Sequence, residues 1–200
     1  MEGSGSTGSS IANPAPLGLA GFAMTTFVLS MINANLVSSG DLGVVLGLAL
    51  AYGGLAQLLA GMWEFRTGNT FGAVAFSSYG AFWISFWVLV TFNAGGLANA
   101  DHAVSLYLWA WAIFTAYMAV GALRVSGAVL LVFVLLTATF VFLAIGTNNL
   151  TPPLTGHNSM HEIGGWLGIA TAAAAWYASF GSVVNSTFGK EVVPLFPAKR

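Results

Sequence analysis

Residues 125–147 read VSGAVLLVFVLLTATFVFLAIGT and contain no charged side chain. At the helical rise of about 1.5 Å per residue, a stretch of this length spans the roughly 30 Å hydrocarbon core of a bilayer. Inside lipid every backbone amide and carbonyl needs a partner within the protein, which favours a helix over an isolated strand. The sequence therefore predicts a transmembrane helix at this position.

Five further apolar stretches are long enough to cross a bilayer. The six predicted spans are Pro16–Ala34, Asp41–Trp63, Phe71–Phe92, Ala103–Leu123, Val125–Thr147 and Ile163–Val184. The whole chain agrees with this interpretation, because 57% of its 200 residues are hydrophobic and only 6% are charged, against about 25% in soluble domains. We expect an all-α integral membrane protein built as a six-transmembrane-helix bundle.

The two ends of the chain differ from its middle. Residues 1–12 are rich in Ser and Gly and lack the basic segment of a secretory signal, so we predict a disordered tail. Residues 13–187 are predicted to form the transmembrane domain, and residues 188–200 a cytoplasmic C-terminal tail. Four tryptophans near span ends are predicted interfacial anchors: Trp63, Trp83, Trp109 and Trp166.

The basic residues lie on one side of the predicted bundle. Arg66 follows the second span, Arg124 the fourth, and Lys190, Lys199 and Arg200 the sixth, whereas the other three loops contain no Lys or Arg. The positive-inside rule then places these loops and both termini in the cytoplasm. We predict a multi-pass protein of the cell (plasma) membrane.

The composition argues against several function classes. A net charge of -1 gives no basic surface for nucleic acid, and the absence of Cys rules out thiolate chemistry. No carboxylate or histidine falls within the interior of a predicted span, so we expect no intramembrane enzyme, cofactor or metal site. His157, His161 and Glu162 favour a solvated loop over a metal site, and Glu64 with Arg66 favours a surface ion pair.

Neutral polar residues are the candidate solute-binding groups. No Lys or Arg lies inside a span, so an anion would have to bind uncharged donors or helix N-termini. We predict substrate-binding roles for Asn13, before the first span, for Thr25 within it, and for Gln57 in the second span. The alternatives are that Asn13 caps a helix and that the Thr25 hydroxyl bonds a carbonyl one turn earlier.

Several separated motifs resemble one family, the acetate/succinate transporters of the GPR1/FUN34/YaaH type. They are NPAPLGL at 13–19, YGGLAQ at 52–57, GNTFG at 68–72, SYG at 78–80 and FGKEVVP at 188–194. The resemblance runs from about Ile11 to Pro197. It implies a homo-hexamer with a path through each protomer for acetate and related small monocarboxylates, with succinate as a further substrate, by either a channel or a proton-symport mechanism.

The resemblance also implies where the path narrows. A hydrophobic constriction built from a Phe, a Tyr and a Leu corresponds to Phe22, Tyr79 and Leu136. A narrow apolar ring excludes hydrated ions but admits a methyl group. Two alternatives stay open: an ammonium or ammonia channel, because some relatives are described that way, and a small neutral-solute channel, because residues 13–15 match one copy of the aquaporin tripeptide.

Overall fold

The computed structural model describes residues 11–93, 96–147 and 158–198. Most of the predicted disordered tail lies outside the described residues, as do His157, Lys199 and Arg200. Within the described ranges the regular secondary structure is helical, apart from one isolated bridge between Ser126 and Pro197. The predicted all-helical architecture is confirmed.

Six helices are long and apolar enough to cross a membrane, as the sequence predicts. They are α1 (Ala15–Asn33), α2 (Ser39–Thr67), α3 (Thr70–Phe92), α4 (Ala100–Ala122), α5 (Gly127–Thr147) and α6 (Ser159–Phe188). The helices α2 and α6 extend beyond their predicted bounds at both ends. Local capping residues set where they end and where α6 begins. Gly68, at φ 78°, ends α2, and Gly189, at φ 64°, ends α6, as left-handed glycines commonly do. The Asn158 side chain caps the start of α6 by accepting from the Met160 amide at 2.9 Å.

The helix α2 is not uniform along its length. It consists of a 3₁₀ turn at Ser39–Asp41, α-helix at Gly43–Leu50, π-helix at Ala51–Ala56 and α-helix at Gln57–Thr67. At the π segment, Gly53 is where α1, α2 and α3 meet: a Cβ atom there would lie 2.5 Å from Thr25 Oγ1 and 2.9 Å from Trp83 Cδ1. Only a glycine permits this approach, and π segments often occur beside functional sites.

The helices close into a bundle around an aromatic core. The helix α1 packs on α6 and on α2, α6 packs on α5, α5 on α4, and α2 on α3. Aromatic rings join α3 to α4 and α5. Phe82 contacts Trp111 with ring centroids 5.1 Å apart and Phe140 at 5.5 Å, and Tyr79 contacts Phe133 at 6.0 Å.

The bundle has two ends. We call the end that holds the start of α1 and the end of α6 the tail end, and the opposite end the cavity end. At the tail end the segment after α6 folds back onto the bundle. The Gly127 amide donates to the Phe196 carbonyl at 2.7 Å, and Asn185 Oδ1 accepts from the amides of Val192 and Val193 at 2.7 and 2.9 Å.

Candidate functional site

An internal cavity of about 260 Å³ lies between the six helices at the cavity end. Its wall is mainly apolar, and among the described residues it carries no Lys, Arg, Asp or Glu side chain. A cavity of this size holds a small molecule, because binding sites for larger ligands begin at about 300 Å³. Its polar lining residues are Thr26, Ser30, Asn33, Ser39, Trp83, Tyr107, Thr139, Thr147 and His161.

Phe22 and Leu136 lie on the wall of this cavity, and Tyr79 lies just behind it. All three side chains are buried, with 4%, 3% and 2% of their surface exposed. The rings of Phe22 and Tyr79 are in contact, with centroids 5.6 Å apart. The structure thus brings two of the three predicted constriction residues into contact and places two of them on one cavity wall.

The Tyr79 hydroxyl is held by α4. It lies 2.8 Å from Thr115 Oγ1, and Thr115 in turn donates to the Trp111 carbonyl at 2.6 Å. A hydroxyl has one proton to donate, so Tyr79 must be the donor in the first of these bonds. The ring of Tyr79 therefore has a fixed position beside Phe22, and its hydroxyl proton is not available to a solute.

The three predicted substrate-binding residues lie apart from one another. Asn13 is exposed at the tail end, where its Oδ1 accepts from the Ala15 amide at 3.0 Å. Thr25 is fully buried and donates to the Gly21 carbonyl at 2.9 Å. Gln57 is 1% exposed, and its Oε1 has no hydrogen-bond partner among the described residues. None of the three lines the cavity.

The polar residues of the cavity wall are not among the predicted site residues, and Thr26 and Trp83 are two of them. Thr26 follows Thr25 directly, and the sequence does not show which of the two faces the interior space. Trp83 was predicted to be an interfacial anchor, but this is wrong: only 2% of its surface is exposed, because Gly53 lets α2 approach its ring closely. Thr26 Oγ1 and Trp83 Nε1 both lack a hydrogen-bond partner in the described part of the chain.

Two charged or titratable residues also differ from their predicted settings. His161 is not in a solvated loop; it lies in the first turn of α6, on the cavity wall, with Nε2 3.3 Å from Asn33 Oδ1. Glu64 is not part of a surface ion pair; it is 1% exposed, and its Oε2 accepts from Thr67 Oγ1 at 3.2 Å. Both residues were predicted to lie outside a span but lie inside a helix, because α6 starts earlier and α2 ends later than predicted.

Six membrane-spanning helices around a small apolar cavity, narrowed by bulky side chains, define a multi-pass membrane protein that conducts or transports a small solute. Residues 4–197 match the GPR1/FUN34/yaaH family. The chain belongs to this family, which confirms the resemblance in the sequence.

Two curated relatives and one solved structure are similar to most of the chain. The chain is 38% identical over 187 residues to the succinate-acetate/proton symporter SatP of Escherichia coli (strain K12), which covers 92% of this chain and 95% of that protein. It is 42% identical over 195 residues to acetate permease A of Emericella nidulans, covering 92% of this chain and 65% of the relative. The structure of the bacterial acetate channel SatP superposes with a TM-score of 0.84 at 38% identity, covering 93% of this chain and 99% of that one.

Proposed function

We propose that this protein passes acetate and related small carboxylates, including succinate, across the cell membrane through a path inside each protomer. The observation that carries the proposal is the chemistry of the cavity wall: mostly apolar, without a fixed charge among the described residues, and with unpartnered neutral donors. Such a wall suits a solute with a methyl group and a carboxylate. The relatives named for acetate and succinate support the same substrate class.

The proposed size filter is the constriction of Phe22, Tyr79 and Leu136. Phe22 and Leu136 form the part of the cavity wall against which a solute would rest, and Tyr79 supports the Phe22 ring from behind. Apolar side chains offer no hydrogen bond to water, so a hydrated ion must lose its shell to pass. A slim molecule with an apolar end needs to lose less water.

The other predicted binding residues have separate proposed roles. Asn13 uses its Oδ1 for the Ala15 amide, so its NH₂ group remains to donate to an anion at the tail end. Gln57, buried in the bundle, is the proposed polar contact beyond the constriction, where its amide NH₂ group would be the donor to a carboxylate. Thr25 donates its hydroxyl proton to the Gly21 carbonyl, so its proposed role is indirect: its side chain sets the distance between α1 and Gly53 of α2.

The proposed setting is a homo-hexamer with both termini of each chain in the cytoplasm. Arg66, in the last turn of α2, and Arg124 and Lys190, just after α4 and α6, all lie at the tail end, which agrees with the positive-inside rule. On α4, Leu106, Ile113 and Val120 recur every seven residues and are 72%, 68% and 67% exposed. An apolar stripe of this kind needs lipid or a neighbouring copy against it.

The ammonium alternative fits the cavity less well. An indole Nε1 only donates hydrogen bonds, so the unpartnered Trp83 Nε1 offers an anion a partner and offers an ammonium ion none. The cavity wall also lacks an Asp or Glu among the described residues.

Reconstitution tests the proposed function. Purified protein in liposomes is given labelled acetate at a pH where acetate is almost fully ionised, first under an imposed pH gradient and then under an imposed voltage at equal pH. We expect saturable uptake above that of empty liposomes, inhibited by other short carboxylates and not by ammonium. Current that reverses with the acetate gradient identifies a channel, electroneutral uptake driven by protons identifies symport, and the absence of saturable uptake contradicts the proposal.

A further inference from the structure

Three unpartnered polar atoms border the cavity. Thr26 Oγ1, Trp83 Nε1 and His161 Nδ1 are buried, lie on the cavity wall and have no hydrogen-bond partner among the described residues. Because His161 Nε2 faces the acceptor Asn33 Oδ1 at 3.3 Å, Nδ1 of the neutral ring is an acceptor, which leaves Thr26 and Trp83 as the two donors. Only 6% of Thr26 and 2% of Trp83 is exposed. Buried polar atoms in folded proteins nearly always have partners, so each exception requires an explanation.

Five other threonines of the bundle show what Thr26 lacks. Each donates its hydroxyl proton to the carbonyl four residues earlier in its own helix, at 2.6 to 2.9 Å. They are Thr25, Thr115, Thr137, Thr139 and Thr171. This backbone bond is the usual way in which a helix accommodates a buried hydroxyl. Thr26 does not make it, so its proton remains available to a partner in the cavity.

The ring of Trp83 is held in place by its neighbours. It contacts Phe82 and Phe86 edge-on, with centroids 5.0 and 5.9 Å apart. Gly53 lies against its Cδ1 edge. A fixed indole with a free Nε1–H requires an acceptor, because this nitrogen cannot accept a hydrogen bond.

Both donors stand in the same relation to the constriction. Thr26 lies four residues after Phe22 on α1, and Trp83 lies four residues after Tyr79 on α3. Residues four apart share a helix face, about 6 Å apart along the axis. Each donor therefore lies one helical turn from an aromatic residue of the constriction, on the side of the cavity end.

We propose that Thr26 and Trp83 bind the carboxylate of the solute inside the cavity, one helical turn before the constriction. This inference rests on the proposed function and names the residues that hold the solute. The carboxylate accepts from the Thr26 hydroxyl and the Trp83 indole, and its apolar end points toward Phe22 and Leu136. Two neutral donors bind an anion weakly enough for release, as a permeation path requires.

Two substitutions test the two donors. Thr26→Val removes the hydroxyl at constant shape, and Trp83→Phe removes the indole N–H. In liposomes containing the full chain, we expect each to raise the KM for acetate about tenfold, since a hydrogen bond to a charged group is worth roughly one decade of affinity. Thr26→Ser, which retains the hydroxyl, should stay near the wild-type KM. A KM-specific change separates binding from a general loss of active protein.

Matched controls exclude a packing effect. Thr171→Val makes the same change at a fully buried threonine that does not line the cavity, and Trp87→Phe makes the same change one turn along α3. Both should have the wild-type KM. If Thr26→Val and Trp83→Phe remain folded with KM values within about twofold of wild type, the proposal is wrong. A wild-type protein without saturable acetate flux would instead contradict the proposed function.

A second measurement needs no substitution. In wild-type protein labelled at the indole nitrogens, acetate should shift one indole N–H resonance downfield with the same half-saturation as transport, and chloride should not. If Trp83→Phe folds, the shifted resonance should be missing from its spectrum. If no indole resonance responds to saturating acetate, the proposal is contradicted even where the variants cannot be purified.

Discussion

The two halves of the bundle differ in where their unpaired polar atoms lie. Toward the tail end, the unpaired atoms are Gln57 Oε1, Glu64 Oε1 and Ser77 Oγ, on α2 and α3 where these helices pack closely on each other. Toward the cavity end, Thr26 Oγ1, Trp83 Nε1 and His161 Nδ1 lie beside a cavity of about 260 Å³. Unpaired polar atoms next to open space indicate a place for a solute. Unpaired atoms within tightly packed helices do not.

Packing differs between the halves as well. In the tail half, a Cβ atom at Gly61 would lie 2.5 Å from the backbone nitrogen of Ser77, so α2 and α3 touch backbone to backbone. Small residues allow such contacts in membranes, where close packing stabilises helix pairs. The cavity half also has such a contact, where Gly165 of α6 meets the backbone of Ala34, but there large aromatic side chains of α3 line a cavity between the helices.

The largest expected effect comes from adding a side chain where α2 and α3 touch in the tail half. Gly61→Val should destabilise the protein by about 1–3 kcal/mol, because the backbone of α3 must move. For a chain of this length that corresponds to a melting temperature lower by roughly 5–10 °C in detergent. Gly47→Val is the control on the same helix, since a Cβ atom there has no neighbour within 4 Å. Equal melting temperatures for the two variants would show that the α2–α3 contact is looser than described.

The next effect concerns the constriction. Phe22→Ala removes a ring from the cavity wall and should raise the uptake of succinate or lactate relative to acetate about tenfold. A factor of this size is typical for the change in substrate selectivity when an apolar pocket is enlarged. Phe71→Ala also loses a ring contact, with Phe133, but lies away from the cavity. It should lower stability without changing selectivity. Unchanged ratios in Phe22→Ala would remove this residue from the size filter.

A smaller effect is expected at Tyr79. Tyr79→Phe loses the bond to Thr115 and should reduce stability by about 1 kcal/mol. Because the ring stays in contact with Phe22, the acetate-to-succinate ratio should remain at the wild-type value. Competition uptake assays measure the ratio, and thermal unfolding measures stability. A changed ratio with intact folding would mean that the hydroxyl, and not only the ring, contacts the solute.

The smallest effect on transport is expected at the tail itself. Asn185→Ala removes both acceptor bonds to Val192 and Val193 and the donor bond to the Val193 carbonyl at 2.8 Å. Trypsin should then cut after Lys190 several-fold faster, which mass spectrometry detects, while acetate flux stays unchanged. A large loss of flux would show that the tail segment contributes to the path.

Sequence reasoning predicted the helices better than the site. Each span could be predicted because twenty or so apolar residues without charge have only one stable structure in lipid, and the helix bounds differ mainly where Gly68 and Asn158 set the ends. Which side of α1 faces the cavity could not be read, since Thr25 and Thr26 are chemically alike and adjacent. The burial of Trp83 depends on Gly53 in another helix, and a single span does not reveal such a contact.

The residues that resemble the family's constriction were predictable from motifs alone. Composition and spacing do not distinguish Phe22 or Leu136 from the many other large apolar residues in the spans. The structure adds that Phe22 contacts Tyr79 and that Leu136 shares its cavity wall. Their role as a size filter stays a prediction, as do the roles of Asn13, Thr25 and Gln57.

Conduction of a carboxylate through an uncharged cavity with an apolar constriction can be measured on the wild-type protein. The measurement is saturable uptake of labelled acetate, propionate and butyrate into liposomes that contain the protein, with empty liposomes as the background. We expect protein-dependent uptake that is highest for acetate and falls as the apolar end of the acid grows. Uptake equal to the background for all three acids, or equal uptake of all three through the protein, would rule out this path.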